Sequence, residues 1–194
     1  MWIYQKKLQY PVNIKNKDLR IAKYLLTQYG GPAGELSAAF QYLNQRYTMP
    51  DDRGKALLTD IGTEELAHVE MICSMIYQLM RGASIRELEE AGLGANYAQF
   101  GTDLFPSDAN GVPFTMTYIK TAGDAIANLE SNMAAEQRAR ATYEHLMDMT
   151  NDPDILGPLS FLRQREIIHY ERFKELRDYY LKKKIGTGDM KRYE

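Results

Sequence analysis

The chain has 194 residues, about the length of one domain, and its 24 basic and 26 acidic residues leave a net charge of −2. This balance argues against a nucleic-acid-binding protein, which would need a basic excess. No apolar run is long enough for a signal peptide or a membrane span, and Cys73 has no second cysteine with which to form a disulfide. We therefore expect a soluble, cytoplasmic protein with a single domain over residues 1–194.

The first half of the chain is predicted to be helical after an irregular segment, residues 1–17. Apolar residues at spacings of three and four predict three helices, which run from Asp18 to the glycines at 30–31, from about Ala33 to Arg46, and from about Asp52 to Met80. Gly30-Gly31-Pro32 separates the first two helices, because proline removes a helical hydrogen bond and glycine permits a bend. Asp51 suits the N-cap of the third helix.

The second half returns to helical periodicity after a long connection. Residues 82–120 are scattered with glycine and proline and predict one short helix, Ile85–Ala91, within a crossover. Helices follow over about Ala122–Met149 and about Ile155–Lys184, before a polar, loose tail at 186–194. No alternating strand pattern competes with this interpretation. The sequence predicts an all-α fold, a ferritin-like four-helix bundle with the long crossover between helices 2 and 3 of the bundle.

Two Glu-x-x-His pairs in a duplicated pattern are the main functional signal. In each pair the glutamate and the histidine are three residues apart, so their side chains project from one face of a helix. Another glutamate precedes each pair by 30 residues, and the whole set recurs with an offset of 101 residues. The set consists of Glu35, Glu65 and His68 in the first half and Glu136, Glu166 and His169 in the second. We interpret it as a helical hairpin duplicated within one domain.

This residue set has the composition of the ligands in di-iron and di-manganese carboxylate bundles. Four carboxylates neutralise two divalent ions, and burying them without metal would cost a prohibitive amount of free energy. Carboxylate and imidazole ligands suit manganese or iron, and the lack of cysteine near the motifs argues against thiolate-bound zinc or an iron–sulfur cluster. The repeat by itself therefore predicts a site for two metal ions, in which Glu166 would be a second bridging carboxylate equivalent to Glu65.

The residues around these ligands complete the predicted site. Small residues flank Glu35 and Glu136 and would let the helices approach closely. Tyr42 and Tyr143 each follow one of these glutamates by seven residues, on the same helix face, where a phenol can hydrogen-bond a ligating carboxylate. Residues off the ligand face are expected to be solvated, and they comprise Glu64, Glu70, His145 and Glu171.

Five segments surround the predicted ligands and together span nearly the whole chain. They comprise Lys7–Tyr10, Gly30–Ala39, Gly62–Met71, Ala134–Arg140 and Arg165–His169. In combination they resemble the manganese catalase family, and more narrowly its short spore-coat branch. The resemblance implies two manganese ions that disproportionate hydrogen peroxide to water and oxygen, in a protein of the spore coat.

The resemblance also implies a role for each ligand. Glu35 and His68 would bind one manganese ion. Glu136 and His169 would bind the other, with Glu65 as the bridge between the two ions.

Two residues are candidates for catalysis beside the metal ligands. Glu166 matches a family carboxylate that handles protons next to the cluster, which differs from the second bridge that the repeat alone predicts. We follow the family pattern for Glu166. Tyr42 is the second candidate, as a hydrogen-bond donor to a ligand.

Two other functions stay open at this point. A di-iron oxidase or ferroxidase would use the same bundle with iron in place of manganese. A structural coat-assembly protein would use the metal site only for stability. The expected partners are hydrogen peroxide, other copies of this chain in a homo-oligomer and other spore-coat proteins, without nucleic acid or membrane.

Overall fold

The computed structural model describes residue 5, residues 7–94 and residues 103–185. In these ranges the chain is helical and forms no β-strand, as predicted. The helices are α1 (Leu19–Gly30), α2 (Glu35–Gln45), α3 (Asp52–Met80), α4 (Ile85–Glu90), α5 (Ala125–Asp148) and α6 (Pro153–Lys183). None of the described helices is both long and apolar enough to cross a lipid bilayer. The predicted loose tail at 186–194 lies outside the described residues.

The predicted helix ends agree with the structure to within three residues. Asp51 caps α3 by accepting a hydrogen bond from the backbone N–H of Gly54. Asp152 caps α6 by accepting one from the backbone N–H of Asp154. The main difference is at the end of α2, where the backbone tightens into a 3-10 turn at Arg46–Thr48. The two caps lie 101 residues apart, so the duplicated pattern includes the helix starts as well as the ligands.

In the four-helix bundle, the bent pair α1–α2 forms the first helix. The other three bundle helices are α3, α5 and α6. α2 packs mainly against α3, and α5 packs mainly against α6. The connection from α3 to α5 contains α4 and a short 3-10 helix at Met116–Tyr118. The fold is therefore the predicted all-α, ferritin-like bundle with its crossover between the second and third helices.

The bend between α1 and α2 positions Glu35. A Cβ on Gly31 would lie 2.4 Å from the carbonyl oxygen of Thr27, and a Cβ on Gly34 would lie 2.7 Å from another α1 carbonyl. Only glycine permits such a close approach of the two backbone segments. Because α2 begins immediately after the bend, Glu35 is its first residue, where the helix dipole favours a carboxylate.

Two hydrophobic clusters fill the two ends of the bundle and leave a polar layer between them. Each long helix contributes residues to both clusters. The boundary between its two sets of cluster residues lies at a predicted ligand. The boundaries fall between Ile61 and Met71 in α3, between Met133 and Tyr143 in α5, and between Leu162 and Phe173 in α6. The ligand set is therefore placed at the middle of the bundle, away from both ends.

Three buried amide side chains attach the crossover to the bundle. The Gln41 amide donates to Asn132 at 2.8 Å, and the Asn132 amide donates to Gln45 at 2.7 Å. The two glutamines also hold the backbone of Lys120, whose N–H donates to Gln41 at 2.8 Å and whose carbonyl accepts from Gln45 at 2.6 Å. The last part of the crossover is thereby fixed against α2 and α5.

Replacing the middle residue of this amide chain, Asn132→Ala, is expected to lower the free energy of unfolding by about 2–6 kcal/mol. The change leaves the Gln41 amide and the Gln45 carbonyl buried without partners, and each such group costs about 1–3 kcal/mol. Urea unfolding of the metal-loaded protein measures the effect. The control Asn151→Ala, at an exposed loop position, should change stability by less than about 0.5 kcal/mol. Equal stability of the two variants would contradict the prediction.

Candidate metal centre

The six residues of the duplicated pattern converge in the polar layer of the bundle. Their side chains come from α2, α3, α5 and α6, and no residue of the set is more than 2% exposed. The set comprises Glu35, Glu65, His68, Glu136, Glu166 and His169. Six ionisable groups are thus removed from water together, as the spacing in the sequence predicts.

Within this layer the ligand atoms form two groups that have one residue in common. Glu35, Glu65, His68 and Glu166 each place one ligand atom within 4.8 Å of the others, and so do Glu65, Glu136 and His169. Each group has the size of a single metal site. Glu65 is the only described residue that belongs to both, which is the position expected of a bridging carboxylate.

The two Glu-x-x-His glutamates are not equivalent. The carboxylate of Glu65 lies 2.7 Å from Nδ1 of His68 and 3.0 Å from Nδ1 of His169. Glu166 is at the equivalent position in the repeat, yet its nearest approach to an imidazole is 4.0 Å, to Nδ1 of His68. The packed bundle therefore breaks the equivalence that the repeat alone predicts between Glu65 and Glu166.

Several buried atoms in the layer have no hydrogen-bond partner among the described residues. They are Oε1 of Glu65, Oε2 of Glu136, Oε1 of Glu166, Nε2 of His68 and Nδ1 of His169. Buried polar atoms are nearly always satisfied, so unpaired oxygens and nitrogens in one place indicate room for an absent partner. Carboxylate oxygens and imidazole nitrogens suit manganese or iron, and the residues present fit such ions.

The charge distribution of the metal-free centre follows from burial and proximity. Burial, together with the nearby carboxylates of Glu35 and Glu136, raises the pKa of Glu166 well above its usual value. Burial also opposes ionisation of Glu65, but the two imidazoles outweigh it and hold the pKa of Glu65 below its usual value. Glu65 is therefore ionised, whereas the protonated form is favoured at Glu166.

Two buried tyrosines link the halves of the repeat. Tyr42 on α2 donates a hydrogen bond to Oε1 of Glu136, and Tyr143 on α5 donates one to Oε1 of Glu35. The sequence predicts that these phenols hydrogen-bond the ligands, and the structure adds that each one reaches the glutamate of the opposite half. Burial and the adjacent carboxylates raise the pKa of both hydroxyls, so they stay protonated and donate.

Glu64 corrects one sequence expectation. It was expected to be solvated, but its side chain is 14% exposed and Oε2 lies 3.0 Å from Nε2 of His169. The position of Glu64 on its own helix predicts exposure, but the packing of α6 against α3 places His169 in contact with the Glu64 side chain. A signal was present in the sequence, since the 101-residue offset pairs Glu64 with Arg165, and the two side chains form an ion pair. His145 and Glu171 are exposed, as predicted.

A cavity of about 240 Å³ reaches the cluster from the side of the α1–α2 bend. Its buried lining includes Glu35, Tyr42 and Glu166, and the exposed side chains of Lys120 and Arg138 lie at its outer part. Tyr118 and Lys120 of the crossover thus form one wall of the cavity.

Comparison with known proteins identifies the family of this fold and site. The family described as manganese containing catalase matches residues 1–180 of the chain. The chain is 55% identical over 175 residues to Protein CotJC of Bacillus subtilis (strain 168), which covers 90% of this chain and 92% of that protein. It is 37% identical to a probable manganese catalase of Clostridium acetobutylicum, over 84% of this chain and 73% of the relative.

A solved structure agrees with the sequence comparisons. Wild-type KatB, a manganese catalase from Anabaena, superposes with a TM-score of 0.86 and is 33% identical in sequence. The superposition covers 97% of this chain and 83% of KatB. The likeness therefore includes all four bundle helices and the ligand layer between them. The chain belongs to the manganese catalase family.

Proposed function

We propose that the protein is a dinuclear manganese catalase that converts two molecules of hydrogen peroxide into two of water and one of oxygen. The observation that carries this proposal is the buried pair of metal-ligand groups joined by Glu65, with a cavity leading to it. Membership of the manganese catalase family supports the same activity.

The proposed ligands divide as the two groups do, except that Glu166 of the first group is assigned to proton transfer and not to metal binding. Glu35 and His68 would hold one manganese ion, Glu136 and His169 would hold the other, and Glu65 would bridge them. When bound, the manganese pair supplies two-electron redox chemistry, alternately reducing one peroxide to water and oxidising another to oxygen. Iron is the alternative metal, because the same oxygen and nitrogen donors bind it.

Glu166 is proposed to handle the protons of the reaction. Reduction of peroxide to water consumes two protons, and oxidation of a second peroxide to oxygen releases two. Glu166 is buried and lines the cavity, and burial raises the pKa of its carboxyl, so it can donate a proton to a peroxide oxygen and later accept the proton back.

Tyr42 is proposed to support catalysis by holding Glu136. Its hydroxyl donates to Glu136 Oε1, which leaves Oε2 free to face the metal. The ring also lines the cavity and packs edge-on against Phe173, with ring centroids 5.0 Å apart. This packing keeps the hydroxyl directed at its partner.

We also propose a spore-coat location, with other copies of this chain and other coat proteins as partners. The proposal is supported by 55% identity to Protein CotJC and by the spore-coat resemblance of the segments around the ligands. A fluorescent fusion followed through sporulation tests it. A signal that stays diffuse in the mother cell and is absent from the spore surface would contradict it.

Manganese-loaded protein is expected to evolve oxygen from hydrogen peroxide, and His68→Ala is expected to remove the activity, because it deletes one imidazole ligand. Oxygen release and metal content should be measured on the same preparation. Glu171→Gln, on the exposed side of α6, is the matched control and should behave like the unaltered protein.

The outcomes separate the functions that the sequence leaves open. Oxygen release with manganese bound supports the catalase. Native protein that contains mainly iron and rapidly oxidises added ferrous ion would identify a di-iron oxidase or ferroxidase. A fully loaded, stable protein that is inert toward peroxide would overturn the proposal in favour of a structural coat-assembly role.

A further inference from the structure

We infer that Glu64 is a positioning residue that orients His169 and makes the two metal positions unequal in affinity. The inference deepens the proposed function and rests on its metal centre. Nδ1 of His169 faces the cluster, 3.0 Å from Glu65 and 3.7 Å from Glu136. With a metal ion on Nδ1, the other ring nitrogen, Nε2, would carry the proton and donate it to Oε2 of Glu64, which lies 3.0 Å away.

Glu64 is itself held in place from two sides. Arg165 donates through Nη2 to Oε2 at 3.1 Å, and its Nε lies 2.7 Å from Oε1. Gln9, from the N-terminal segment, donates to Oε1 at 2.5 Å. These two partners leave the Glu64 carboxylate little freedom to turn away from His169.

The other histidine has no such support. Nε2 of His68 lies 3.8 Å from Oε1 of Glu64 and has no hydrogen-bond partner among the described residues. The duplicated pattern explains the difference, because the position equivalent to Glu64 in the second half is Arg165, 101 residues later. A guanidinium can only donate hydrogen bonds, so it cannot accept the N–H of an imidazole.

This asymmetry has a direct consequence for the metal. A carboxylate that accepts the second N–H of a ligating imidazole fixes its tautomer, orients the ring and raises its basicity. Removal of such a partner costs about 10–100-fold in metal affinity. The ion at the Glu136–His169 position should therefore lose affinity when Glu64 is removed, while the ion at the Glu35–His68 position should not.

The test is competition between manganese-loaded protein and graded concentrations of EDTA, with retained manganese per chain as the readout. In Glu64→Ala, we expect one ion to be released at a chelator concentration about 10–100-fold lower than in the unaltered protein, and the second ion at an unchanged concentration. Electron paramagnetic resonance should then show uncoupled single-ion manganese in place of the coupled pair. Glu64→Gln keeps a carbonyl acceptor for His169 and should recover part of the affinity. Glu171→Gln is the matched control.

Three outcomes would overturn the inference. Unchanged release of both ions from a folded Glu64→Ala protein would show that Glu64 does not support the metal. Equal weakening of both ions, with no recovery in Glu64→Gln, would indicate a general structural role. Failure of the unaltered protein to bind two ions would overturn the metal centre itself, whereas two bound ions without oxygen release would overturn only the proposed catalase.

Discussion

Replacing Glu65 by alanine is expected to remove both metal ions, a larger effect than any other single substitution in the site. Glu65 is the only described residue that belongs to both ligand groups, and its oxygens lie within 3.0 Å of both histidines. Loss of an outer partner of a ligand costs about 10–100-fold in affinity, so loss of a direct, shared ligand should exceed about 100-fold for each ion. Oxygen release should fall with the metal content.

Two further variants make this prediction specific. Glu65→Gln preserves the shape of the side chain but removes its charge and one of its two ligating oxygens, so it should also fail to hold a coupled pair. Glu136→Ala, in contrast, alters one ligand group and should spare the ion at the Glu35–His68 position more than the other. Metal analysis after gel filtration measures all three. Retention of two ions by Glu65→Ala would contradict the bridging assignment.

Removing the metal is expected to produce a protein whose stability falls as the pH rises from about 5 to 9. Burial and the charge of Glu65 raise the pKa of Glu35 to about 7. Burial would lower the pKa of His68, but the carboxylates of Glu65 and Glu35 raise it to about 9. Both groups bind their protons more tightly in the folded than in the unfolded chain, so folding is favoured at low pH.

The sign of the pH effect follows from these two groups. The contribution of Glu35 is fully present below its unfolded pKa, about 4.3, and is lost as the pH rises through about 7. The contribution of His68 is fully present below about 6.5 and is lost as the pH rises through about 9. Bound metal replaces these protons. The difference in folding stability between the metal-loaded and the metal-free protein should therefore be largest at high pH.

Thermal unfolding at several pH values, with and without manganese, tests this prediction. A ligand at about 100 times its dissociation constant adds about 2.7 kcal/mol, which corresponds to a rise in Tm of about 5–10 °C for a chain of this size. The rise in Tm on adding metal should grow between pH 6 and pH 9. A metal-free protein that becomes more stable over this range would contradict the charge distribution described for the centre.

The local features of the site could be predicted from the sequence because they depend on neighbouring residues along one helix. Glu65 and His68 share a face at a spacing of three residues wherever the helix lies in the fold. The N-caps at Asp51 and Asp152 and the bend after α1 are equally local. Because the pattern recurs with an offset of 101 residues, the same local prediction applies to both halves of the chain.

Features that depend on contacts between helices could not be predicted in the same way. The duplicated pattern treats Glu65 and Glu166 as equals, and only the packed bundle places Glu65 against both imidazoles while Glu166 stays 4.0 Å from the nearer one. The buried amide chain through Asn132 is a further example, because its members come from two helices far apart in sequence. Periodicity identifies a buried face without identifying its partner.

The sequence by itself therefore determined the helices, the buried glutamate and histidine pattern and the two-fold repeat of this member of the manganese catalase family. The tertiary structure alone decided which half each tyrosine contacts, and it turned Glu64 from a predicted surface residue into the partner of His169. The physical reason is that helix periodicity is set within a few residues, whereas the rotation and crossing of α3 against α6 depend on packing across the whole core. That packing makes the two chemically similar halves of the site unequal.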